Sequence, residues 1–147
     1  MTSSTNSSRR QQFWNSAALY GFVALGGMIG SCTRYLVSVF AQILFGSGFP
    51  LGTLFVNITG SFAIGFYAAL AGPDGRIFAS TRQRQFVMTG LCGGYTTFSA
   101  FSFETFQLLR NGHELAALLN IGLAPAWLVA VWLGHTLATR INRRKAT

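Results

Sequence analysis

The stretch GLCGGYTTFSAFSFE, residues 90–104, interrupts an apolar segment with residues that an ordinary spanning helix would not carry. Each glycine costs roughly 1 kcal/mol relative to alanine inside a helix. Gly93 and Gly94 stand side by side, and the β-branched hydroxyl residues Thr96 and Thr97 follow, so the stretch favours local unwinding. Unwound backbone at membrane depth is tolerated only where protein buries it or where it lines a wet cavity. Its carbonyl oxygens lack helical donors and are able to hold a cation. Close helix packing through glycine, with the threonine hydroxyls bonded to their own helix, reads the same residues differently. The stretch alone leaves both readings open.

Outward from this stretch, the chain has 147 residues, half of them hydrophobic, with 11 Lys or Arg and 3 Asp or Glu. A soluble domain carries about a quarter charged residues. Here the charges cluster between long uncharged tracts, which is the pattern of an all-α polytopic membrane protein. The net charge of +8 forms no single basic stripe, so it speaks for orientation in a bilayer and against a nucleic-acid partner. Cys32 and Cys92 both fall in apolar tracts and read as packed thiols, not as a disulfide or metal pair.

Residues 1–12 are polar and end near Arg9 and Arg10, reading as a disordered tail ahead of a four-helix domain at 13–139 and a basic tail at 140–147. No clean small-x-small cleavage site follows the first apolar tract, so that tract is retained as a spanning helix over about 17–45. Gly26, Gly27, Gly30 and Ser31 give it small faces for close contact. Arg34 lies well inside the same tract. It is either a functional group or a side chain snorkelling to an interface. A short turn at 46–50 makes the first two helices antiparallel neighbours. In the second helix, about 51–71, Thr53, Asn57 and Ser61 share one face. A buried Asn57 either glues two helices or presents its amide to a pore. The third helix, about 85–109, holds the interrupted stretch. The fourth, about 114–138, carries Asn120 and Pro125, and the proline should kink it.

With four spans, both termini and the second loop lie on one side. That side carries nine Lys or Arg (Arg9, Arg10, Arg76, Arg82, Arg84, Arg140, Arg143, Arg144 and Lys145), whereas Arg110 alone sits opposite. The bias predicts a multi-pass protein of the cell membrane with cytoplasmic termini.

Three acids and two histidines supply no catalytic triad, carboxylate pair, metal cluster or phosphate loop, so the chain reads as a permeation protein and not an enzyme. Phe98 and Phe101 are three residues apart on one helix face, and Glu104 lies three further on. Aromatic rings have positive edges that suit a dehydrated anion, and Asn57 and Thr53 add true donors. A plain packing stripe is the competing reading of the phenylalanines. A proton-coupled small-molecule exporter that uses Glu104 is the competing function.

Three motifs, GGMIGSCTRY (26–35), GTLFVNITGSFAIG (52–65) and GLCGGYTTFSAFSFE (90–104), carry a resemblance to the Fluc (CrcB) family of fluoride channels over essentially the whole chain. The resemblance implies a fluoride-selective passive channel that exports cytoplasmic fluoride. It implies an antiparallel, dual-topology dimer of four-helix subunits, with a structural Na⁺ held between the broken third helices. By position, Gly93 and Thr96 resemble the Na⁺-coordinating pair, and Phe98 and Phe101 the fluoride-contacting rings. Asn57 resembles the pore donor, Thr53 its neighbour on the track and Arg34 the vestibule cation; Ser99 and Glu104 follow as further pathway residues. The fourth helix departs from the family pattern of Tyr and Ser, offering Leu118, Leu119, Asn120 and Pro125 instead. The charge bias is large for a chain that inserts both ways, so the second subunit is either another copy or an oppositely oriented homologue.

Overall fold

The computed structural model describes residues 3–143 apart from residue 74, and only the backbone of residues 3–9 and 12. Every regular element among these residues is helical. Helix α1 spans Ser3–Phe45 and α2 Leu51–Leu70. A composite segment follows: α3 (Thr81–Gln85), a π-helix (Phe86–Cys92), α4 (Gly93–Tyr95) and α5 (Phe98–Arg110). Two further helices, α6 (Glu114–Leu123) and α7 (Pro125–Arg143), complete the fold.

Among the described residues three stretches are long and apolar enough to cross a membrane: Phe13–Phe45, Leu51–Leu70 and Glu114–Arg143. The segment over 81–110 is divided into pieces, none of which has that length by itself.

The helix at the start of the chain reaches back to Ser3, where the sequence suggested an irregular tail to residue 12. Adding residues to an existing helix is far cheaper than starting one, and Arg9, Arg10, Gln11 and Gln12 are good helix formers. Residues 1 and 2 lie outside the described residues. At the other end α7 continues to Arg143, and the rest of the expected basic tail, 144–147, is likewise outside them. Helix α1 stops at Gly46, whose φ of 76° suits a residue without a side chain. Gly112, at φ 77°, turns the chain between α5 and α6 in the same way.

Two glycine-lined seams hold the helices together. In the first, α1 lies against the π-helix and α4. A Cβ at Gly26 would sit 2.5 Å from Phe86 O, one at Gly90 2.7 Å from Val23 O, and one at Gly94 2.5 Å from Gly27 O. In the second, α2 lies against α7, with Gly65 set on the Val131 carbonyl and Gly134 on that of Phe62. Backbones this close gain dispersion contacts without burying long side chains, which suits helices surrounded by lipid. Cys92 is packed as expected, whereas Cys32 is on the exposed face of α1. The outward faces are apolar, with Leu36, Phe40, Ile43, Leu128 and Trp132 all well exposed.

The fourth apolar stretch divides at Pro125. The proline has no N–H to give, and on either side of it the bonds shorten to three-residue spacing, Ala124 N to Ile121 O and Trp127 N to Ala124 O, both 3.1 Å.

Candidate functional site

Between α4 and α5 the chain is extended at two residues, Thr96 (φ −84°, ψ 160°) and Thr97 (φ −155°, ψ 128°). The glycine pair itself remains helical at Gly93, with φ −64° and ψ −36°. The opening therefore lies just past Gly93 and Gly94, whose missing side chains serve the contact with α1.

Two side chains reroute the hydrogen bonds there. Thr97 N–H would bond Gly93 C=O in a continuous helix, yet it donates to Asn57 Oδ1 at 2.7 Å. Asn57 Nδ2 in turn donates to Thr97 C=O at 2.8 Å, so one buried carboxamide from α2 holds both sides of one peptide residue. Ala100 N–H would serve Thr96 C=O, but it donates to Thr97 Oγ1 at 3.2 Å, and Thr97 thereby caps α5. Gly93 and Thr96 are thus the residues whose carbonyls lose their helical donors to these two side chains. Gly94 C=O takes its donors from α1, Arg34 Nε at 3.2 Å and Ser31 Oγ at 3.4 Å. Arg34, far along α1, is thus tied to the interruption.

Nearby hydroxyls brace the same turn. Thr96 Oγ1 donates to Cys92 C=O at 2.9 Å, and Thr59 Oγ1 and Tyr95 Oη share a bond of 3.0 Å. A Cβ on Gly60 would strike the Thr96 methyl group, so the absent side chain in α2 makes room for the extended residue.

Phe98 and Phe101 have ring centroids 5.7 Å apart, tilted by 44°. Their surroundings differ: Phe98 is 71% exposed in the single chain and Phe101 only 8%. Ser99 is exposed, 3.2 Å from the Thr97 hydroxyl. One turn or so further on, the buried Thr53 donates to Glu104 Oε1 at 2.7 Å, while Glu104 Oε2 is buried without a partner among the described residues. Both residues line a cavity of about 600 Å³ at the loop end of the molecule, with Gln107, Asn111 and His113.

The sequence reading thus finds its residues in two neighbouring groups. Asn57, Arg34, Gly93, Thr96 and Phe98 meet at the interruption, and Thr53 and Glu104 meet at the cavity. It named Thr97, Gly94 and Ser31 but gave none of them a part in the site. The signal for Thr97 was there, a Thr three residues before the N–H it caps. It also passed over Thr105 and gave Trp127 no role. Asn120 Nδ2 donates to Thr105 Oγ1 at 2.9 Å, and the Trp127 ring meets Phe101 edge to face at 4.9 Å.

Chemically, the interruption offers oxygens suited to a hard monovalent cation and, beside them, donors and ring edges suited to a small anion. Among the described residues no three His, Cys, Asp or Glu side chains come together as a metal cluster. Any cation here would rest on peptide oxygens.

Residues 21–135 match the family model described as CrcB-like protein, Camphor Resistance (CrcB). A protein of Rhodopseudomonas palustris (strain BisB18) named Fluoride-specific ion channel FluC 1 is 70% identical over 132 residues, covering 89% of this chain and 94% of that one. One of the same name from Bradyrhizobium diazoefficiens is 56% identical, covering 90% and 92%. Fluoride-specific ion channel FluC of Rhodospirillum rubrum is 50% identical, covering 84% and 96%.

Proposed function

The chain belongs to the CrcB-like family, and from that premise we infer that it is a fluoride-specific ion channel, a membrane protein and not an enzyme. The observation that carries the reading is 70% identity to a fluoride-specific channel over nearly the full length of both chains. The open backbone at Thr96 and Thr97 supports that reading.

In this proposal the segment over 81–110 is the third of four spans, and export is passive. Hydrogen fluoride enters a cell neutral, dissociates in the cytoplasm and leaves fluoride trapped. The membrane potential, worth about 2.3 kcal/mol per elementary charge per 100 mV, then drives the anion outward. Fluoride gives up a tightly held water shell, and fixed donors replace it. Asn57 spends one amide hydrogen on Thr97 C=O and has a second for the ion. Phe98 and Phe101 offer ring edges, with Thr53, Ser99 and Glu104 as further polar contacts. Arg34 concentrates anions near the interruption while it holds Gly94.

A resident Na⁺ fits the donor set of Gly93 and Thr96, neutral oxygens freed from helical bonding. When bound, it would supply one fixed positive charge beside the anion route. Two carbonyls would be too few to hold a bare cation, and a second subunit in antiparallel arrangement would supply more. The exposure of Phe98 favours such a partner. That partner is another copy or a homologue of opposite charge bias, and the termini face the cytoplasm of the cell membrane.

The test is purified protein in liposomes under a fluoride gradient. Fluoride efflux with chloride retained is expected; equal leakage of both ions, or of neither, would sink the assignment. Tags on the termini found on both membrane faces, with full activity of this chain alone, would identify the partner as a second copy.

A further inference from the structure

The bent fourth stretch has no assigned work in the pathway, yet both of its arms reach one buried residue, Phe101, one at its backbone and one at its ring. From α6, Asn120, only 2% exposed, donates to Thr105 Oγ1 at 2.9 Å, and Thr105 Oγ1 donates to Phe101 C=O at 2.8 Å. From α7, Trp127 sets its ring against that of Phe101 at 4.9 Å and 83°. Pro125 lies between the two arms, so the break in helical bonding separates the residue that holds the backbone of Phe101 from the one that holds its ring.

A polar residue this deeply buried in an apolar segment requires its bond. Asn120 commits its amide to a turn of α5 and not to its own helix. Trp127 Nε1 is buried with no hydrogen-bond partner among the described residues, so what that residue contributes is its ring face and edge. Edge-to-face pairs prefer a definite angle, and that angle would decide which rim of Phe101 is presented next to Phe98.

We propose that Asn120 and Trp127 are positioning residues for the anion route: they fix the orientation of the Phe101 ring from the two arms of the bent helix and never touch fluoride themselves. This rests on the reading of Phe101 as a ring that lines the route. It also gives the fourth stretch a part in selectivity although it lacks the Tyr and Ser expected of the family.

The experiment is fluoride and chloride efflux from liposomes for Phe101→Ile, Asn120→Leu, Thr105→Val, Thr105→Ser, Trp127→Phe and Trp127→Ala, each checked for a monodisperse elution peak. Asn120→Leu, Thr105→Val and Trp127→Ala should each slow fluoride efflux about tenfold, the order expected from one lost positioning contact. Thr105→Ser and Trp127→Phe, which retain the hydroxyl and the ring, should stay near the parent rate. Placed in the Phe101→Ile background, Asn120→Leu should add no further loss, because its effect passes through the ring that is gone. Full additivity there, or parent rates for Asn120→Leu and Trp127→Ala, would overturn the proposal. A Trp127→Phe variant as slow as Trp127→Ala would overturn it too, since the indole N–H would then be the operative group. A parent rate for Phe101→Ile would instead sink the reading of Phe101 on which the proposal stands. Should Asn120→Leu fail to fold, the Thr105 pair tests the same relay.

Discussion

Asn57 binds Thr97 as one β-strand binds another: its carboxamide accepts the N–H at 2.7 Å and donates to the C=O at 2.8 Å. A side chain of one helix thus stands in for the peptide group that a neighbouring strand would supply. The helix interruption is held by α2 as much as by its own residues. Asn57→Leu would orphan both groups in a buried place, at about 1–3 kcal/mol each. The melting temperature of the solubilised protein should fall and fluoride efflux should be lost. Asn57→Asp retains the acceptor for the N–H but sets an oxygen against Thr97 C=O, so it should fall in between only if protonated. An unchanged melting temperature in Asn57→Leu would mean that the interruption stands without this clamp.

Gly94 and Gly27 separate packing from composition. A methyl group at Gly94 meets Gly27 O at 2.5 Å, whereas one at Gly27 meets nothing within 4 Å in the single chain. Gly94→Ala should give little folded protein, because the obstacle is backbone and cannot swing aside. Gly27→Ala should express as the parent does. Equal yields of the two variants would contradict the close seam.

Glu104 decides between passive flow and proton coupling. Its Oε1 accepts from Thr53, a bond that glutamine can also accept through its carbonyl oxygen. Glu104→Gln should therefore leave fluoride moving down its gradient, with a changed rate and no accompanying proton movement. Abolished transport in Glu104→Gln, together with fluoride-driven pH change in the parent protein, would favour a coupled exporter instead.

Sodium replacement addresses the carbonyls of Gly93 and Thr96. Preparing the protein with a bulky organic cation in place of Na⁺ should lower its melting temperature and its fluoride efflux, and Na⁺ should restore both. Indifference to Na⁺ in both measurements would count against a cation at these oxygens.

The interrupted stretch was legible because glycine pairs and β-branched residues are costly in a helix whatever surrounds them. Its exact opening was not, because that depends on partners far away in sequence. Gly93 stays helical, and the extended residues are Thr96 and Thr97, which Asn57 selects from forty residues upstream. Arg34 shows the same limit. A charge in an apolar tract announces a partner but not which one, and here the partner is an uncharged carbonyl sixty residues on. Pro125 was readable from its chemistry alone, since no fold supplies the N–H it lacks. Asn120 could be noticed as a polar residue in an apolar segment, yet its tie to Thr105 depends on how α5 and α6 face each other.

The contact of Gly26 and Gly90 leaves no space for even one methyl group between α1 and the π-helix, and Gly94 is seated just as firmly on Gly27. Any methyl group added along this seam would have to push one whole helix away from the other, because what it meets is main chain and not a side chain that can turn aside.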